Sequence, residues 1–142
     1  MSDVFTTTQL RETIMATIAQ AAASYTAYPV TIETSNRDVV DQVGQTNPYL
    51  QVTIANMGGE QTELGPNPLI KRSGQILLAA VVKDGTGTAD AEALRDYFMA
   101  QLSTAQLGIV QCQAGYPVQG RPLKGLWFEP AIIPFFYFSR DR

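Results

Sequence analysis

With 142 residues, 45% of them hydrophobic, the chain has the size of one domain and enough apolar material for a core without staples. A charged fraction of 16% and a net charge of -3 build no field that would concentrate nucleic acid or an anionic membrane, so neither is an expected partner. One cysteine, Cys112, excludes an internal disulfide, and the lack of histidine removes the commonest general base and the commonest zinc ligand.

The start, Met1 to Thr6, has neither a basic region nor an apolar leader, and no apolar run is long enough to span a bilayer. The expectation is a soluble chain made in the cytoplasm, a single domain over residues 1–142. From Thr6 to about Ala27, the residues Leu10, Ile14, Ile18, Ala21 and Tyr25 fall on one helical face, and Thr6 with Gln9 has the spacing of a capping box. Tyr28-Pro29 ends that helix, and Val30 to Thr34 reads as a short β-branched strand. Ser35 to Asn47 is polar. Asp38 and Asp41 lie in it, but two carboxylates without a pocket read as a solvated connection and not as an acid pair.

From Tyr49 to Ile54 the chain alternates, with Leu50, Val52 and Ile54 on one face. Gly58-Gly59 offers a reversal, Gln61 to Leu64 a returning strand, and Gly65-Pro66-Asn67-Pro68 an interruption before Leu69 and Ile70. Ile76 to Val82 is apolar at every position, which marks a central strand covered on both faces. Lys83 to Thr88 is a turn in which Gly85 or Gly87 takes a positive φ. A second helix follows, with Thr88 as N-cap, Asp90 and Glu92 in the first turn, and Ala91, Leu94, Phe98 and Leu102 on its buried face. Gly108 to Gln113 reads as a strand and Ala114 to Pro122 as a loop whose glycines and prolines exclude regular structure. Leu126 to Glu129 and Ile132 to Phe138 close the chain with its most aromatic stretch, and Pro134 places that strand near a border of the sheet.

The chemistry in these segments is sparse. Asp84, at the end of an apolar strand and before a Gly/Thr turn, resembles the nucleophile loop of haloacid-dehalogenase-type phosphotransferases. That mechanism also needs a second acidic cluster for magnesium, and none follows Asp84 in the sequence. Gly85-x-Gly87 without a third glycine or a lysine is explained by a strand-to-helix turn. Cys112 has no basic neighbour and reads as an inert thiol. Trp127 and Phe128 could stack on bases, but without a positive groove they read as packing residues.

Tyr49-Leu50-Gln51-Val52, the Gly/Pro interruption, Lys71-Arg72-Ser73-Gly74-Gln75-Ile76, the loop Lys83-Asp84-Gly85-Thr86-Gly87 and a helix ending near Phe98 together resemble the tail-terminator and tail-completion proteins of long-tailed bacteriophages. The opening amphipathic helix and the apolar strand Ile132 to Phe138 extend the resemblance over most of the chain. It implies an α+β sandwich, with two main helices on one face of a mostly antiparallel sheet. It also implies a structural virion protein without catalytic residues, cofactor or metal, which forms a homo-oligomeric ring, typically a hexamer. Such a ring caps the tail tube, stops its polymerisation and presents the surface that joins tail to head. The implied partners are a second copy of the chain, the tail tube protein and a head-completion or connector protein, and the implied location is the head-tail junction of the virion.

A ring needs two different patches that meet. The two helices cover only one face of the apolar strand Ile76 to Val82, leaving the other to strand packing or to a neighbour. Candidate contact residues are Lys71 and Arg72, in the irregular stretch Gly58 to Ser73, and Tyr116 and Arg121, in the loop Ala114 to Pro122, because loops carry partner contacts more often than scaffolds do. That long loop departs from the family pattern. Two other readings stay open: another neck or tube component, such as a head-closure or tail-tube-like protein, and a phosphotransferase acting through Asp84.

Overall fold

The computed structural model describes residues 6–26, 30–34, 48–66, 68–83, 85, 89–123 and 125–140. In chain order these form α1 (Thr7–Ala23), β1 (Ile32–Thr34), β2 (Tyr49–Gln61), β3 (Leu69–Lys83), α2 (Ala89–Leu102), β4 (Gln106–Leu107), β5 (Val110–Cys112), β6 (Tyr116–Pro117), β7 (Arg121–Leu123) and β8 (Leu126–Arg140). The strands make one 8-stranded sheet, ordered β1-β2-β3-β8-β5-β4, with β6 and β7 also paired to β8. Only β1 and β2 run parallel among the described pairs. Two helices on a mostly antiparallel sheet make this an α+β fold.

The helices form where the apolar spacing places them. Thr6 caps α1: its hydroxyl accepts from the Gln9 amide at 3.1 Å while Gln9 Oε1 accepts from the Thr6 amide at 2.8 Å. The buried faces are Leu10, Ile14, Ile18 and Ala21 on α1 and Ala91, Leu94, Phe98 and Leu102 on α2. Both sit against the same side of the sheet, over Leu50 and Val52 of β2, Ile76, Leu78 and Ala80 of β3, and Ile133, Phe135 and Tyr137 of β8. Tyr97 joins the helices, donating its hydroxyl to the Ala21 carbonyl at 2.7 Å, with its ring edge-on to Tyr25 at 4.8 Å. Thr88, the expected N-cap of α2, lies outside the described residues, as do Asp38, Asp41, Asp84 and Gly87. Gly85 has φ +93, so the expected left-handed residue of the β3–α2 turn is there.

Register departs from expectation in four places. Gly58-Gly59 is not a reversal: β2 runs through it to Gln61 with an irregularity between Asn56 and Gly58, Thr62 to Leu64 form no returning strand, and the returning strand is β3 from Leu69. A bulge and a hairpin turn share the same glycine signal, and pairing with β3 selects the bulge. Gly108 belongs to a two-residue turn between β4 and β5, where Leu107 faces Val110, and the strand there is only Val110–Cys112. Ala114 to Pro122 is not wholly irregular, because β6 and β7 each dock a few residues against β8.

The fourth concerns β8, which is an internal strand despite its prolines. It pairs with β3 along its whole length, from Lys83↔Leu126 to Leu69↔Arg140. On its other side lie β7, β6 and β5 in succession, a single edge broken into short pieces. The carbonyls of Pro130 and Pro134 accept from the amides of Val118 and Gln113, at 2.9 and 2.8 Å. In an antiparallel ladder a residue directs its N–H and C=O to the same side. Both missing donors therefore face the broken edge and leave the ladder with β3 intact.

Gly74 in the middle of β3 has a different reason. A side-chain carbon there would collide with the Ala55 carbonyl oxygen and come within 2.7 Å of the ring of Phe135, its cross-strand partner. The aromatic ring lies over the glycine and fills the place of its side chain.

Candidate partner surface

Alternation along β3 and β8 divides the sheet into two faces. Even positions from Gly74 to Val82 on β3 and odd positions from Trp127 to Tyr137 on β8 face the helices. The other face carries Gln75, Leu77, Ala79 and Val81 of β3, Gln51 and Thr53 of β2, and Phe128, Pro130, Ile132, Pro134, Phe136 and Phe138 of β8. Tyr49, Val81, Leu126 and Phe128 form a small buried cluster at one end of it. Beyond that cluster Leu77, Ile132 and Phe136 are half-buried and Phe138 is 43% exposed, with no helix over them among the described residues. A groove of about 330 Å³ lies there, floored by Leu77, Ala79 and Ile132 and walled by Val118, Gln119 and Arg121.

The four expected contact residues separate. Lys71 is in β3, not in a loop; it faces Phe138 across the ladder, and its ammonium lies over the Phe136 ring, 4.7 Å from the centroid. Arg72, the next residue, pairs with Tyr137 and so points to the helix side. Burial pushes the Tyr137 phenol above its usual range, and the Arg72 charge partly opposes this. Tyr116 pairs with Ile132 and Arg121 with Phe128, which puts both on the open face, exposed. Thus Lys71, Tyr116 and Arg121 share one surface and Arg72 does not. The residues that sequence reasoning passed over are Ile132, Phe136 and Phe138; the signal was present, since β8 is apolar at both parities, as β3 is.

The groups with the greatest chemical potential lie on the helix side and are occupied. Glu129 is 5% exposed; its Oε1 accepts from Arg95 Nη1 at 2.9 Å and its Oε2 from the Trp127 indole at 2.5 Å. Cys112 is buried, and burial pushes its thiol up to about 11, so it carries almost no thiolate at neutral pH. Among the described residues, no three of His, Cys, Asp and Glu gather to hold a metal ion. No described helix is long and apolar enough to cross a membrane.

No protein-family model and no curated protein matches the chain. Among solved structures the fold is shared with a protein whose designation states no function, at a TM-score of 0.66 and 12% identity, over 98% of each chain. At that identity the likeness establishes the fold alone.

Proposed function

We propose that the chain is a structural virion protein: a ring-forming tail terminator that caps the tube of a long-tailed bacteriophage, stops its growth and offers the surface that joins tail to head. The supporting observation is the sheet face opposite the helices, which presents Leu77 and Ala79 of β3 and Ile132, Phe136 and Phe138 of β8, carries no helix among the described residues and is bordered by Lys71, Tyr116 and Arg121. A chain that acts alone covers or polarises such a face, whereas a subunit keeps it for a neighbour. In this reading the protein is not an enzyme and needs no cofactor. Its partners are further copies of itself in a closed ring, typically six, the tail tube protein on one ring face and a head-completion or connector protein on the other.

The test is assembly. Light scattering and electron microscopy of the purified protein should give discrete rings, and adding them to growing tube should fix tube length. Open filaments of the protein alone would move the reading to a tube component. A protein that stays monomeric, with or without tube, would remove it.

A further inference from the structure

We infer that the groove on the open sheet face receives helix α2 of a neighbouring copy, so that the ring contact is sheet against helix. This rests on the ring reading above. The outward side of α2 presents Ala89, Glu92, Ala93, Asp96 and Ala100, all exposed and at helical spacing. The alanines allow close approach of the helix backbone, and the carboxylates supply charge opposite to Arg121, the cation on the groove wall. Within one subunit the two patches cannot meet, because α2 packs on the opposite face of the same sheet. Two complementary patches on opposite sides of a molecule define a heterologous contact, the kind that closes a ring when the rotation between copies is right.

The dimensions agree. Fourteen residues make α2 about 21 Å long. The uncovered part of the face, from Pro130 to Phe138, runs about 27 Å along β8, long enough to seat that helix. The apolar floor supplies the burial, and Arg121 with Glu92 supplies the register, Asp96 being engaged by Arg95 of its own subunit.

Cysteine pairing tests the contact directly. Val118 lines the groove and Ala93 lies on the outer stripe of α2, so Val118→Cys with Ala93→Cys in one chain should give a ladder of disulfide-linked oligomers under mild oxidation, and neither single variant should. The native Cys112 is buried and stays out of the reaction. Arg121→Glu should weaken assembly about tenfold or more, and Glu92→Arg in the same chain should restore it. Rings that form normally while the double-cysteine protein gives no ladder would overturn this contact and leave the ring reading standing. Dimers from Val118→Cys alone would show sheet faces meeting each other and overturn it equally. A chain that never assembles, alone or with tube, would remove both.

Discussion

Arg95 on α2 and Glu129 on β8 form a buried ion pair, 2.9 Å from Nη1 to Oε1, with side chains only 11% and 7% exposed. Asp96 holds the other side of the guanidinium at 3.0 Å, and the Trp127 indole holds the second carboxylate oxygen. The pair ties α2 to β8 by a polar contact beside the apolar packing of Ala91, Leu94, Phe98 and Leu102. Removing one partner leaves an uncompensated charge, so Arg95→Ala should cost about 3–5 kcal/mol in denaturant unfolding. Replacing both at once, Arg95→Met with Glu129→Leu, should recover most of that loss. If the double replacement is as damaging as the single, the pair contributes something other than mutual compensation.

Gly74→Ala should be among the most damaging small substitutions in β3, on the order of 2 kcal/mol or more, because Phe135 and the Ala55 carbonyl occupy the space. Gly85→Ala meets no atom but must hold φ +93, and should cost about 1 kcal/mol. Chemical denaturation of the two variants separates a steric cause from a backbone cause: trimming Phe135 to Leu should recover only part of the Gly74→Ala loss, because the Ala55 carbonyl still blocks the new carbon, and should leave Gly85→Ala unchanged.

Alkaline pH should destabilise the fold through Cys112. Its thiol ionises at 9.0 when unfolded and at about 11 when folded, so between these values the unfolded chain has released a proton that the folded chain still holds. Stability therefore falls as pH rises through that window, by about 2–3 kcal/mol in all, and is fully present below pH 9. Cys112→Ala should flatten that part of the stability profile. An unchanged slope would assign the alkaline loss to other groups.

Charge reversal should distinguish the two arginines. Arg121→Glu changes the open face and should weaken ring assembly and tail capping, with a melting temperature within a degree or two of the parent because the side chain is exposed. Arg72→Glu acts on the helix side, beside Tyr137, and should lower the melting temperature with a smaller effect on assembly. Tail lengths measured by electron microscopy, set beside thermal unfolding, give both readouts; equal behaviour of the two variants would contradict the separation of faces.

Asp84→Asn should leave assembly intact, and phosphatase assays of the parent with magnesium should show no turnover. A magnesium-dependent activity that disappears in the variant would replace the structural reading with an enzymatic one.

The amino-acid sequence by itself determined what depends on neighbours a few residues away. The capping box of Thr6 and Gln9, the buried stripes of both helices and the positive φ of Gly85 follow from spacing and side-chain type, which act within one turn or one pleat, whereas β3, expected to be covered on both faces, keeps Leu77 and Ala79 half-buried on the open one. The tertiary structure decided what depends on register. Lys71 and Arg72 are adjacent in the chain, yet pairing with Phe138 and Tyr137 sends them to opposite faces. Gly58-Gly59 looked like a turn until β3 paired beyond it, and Pro134 looked like a border residue until its missing donor proved to face the broken side. Arg95 and Glu129 carry no local sign that they meet. A strand pairing is set by a partner far along the chain, and a shift of one residue would exchange every side chain between the covered face and the open one.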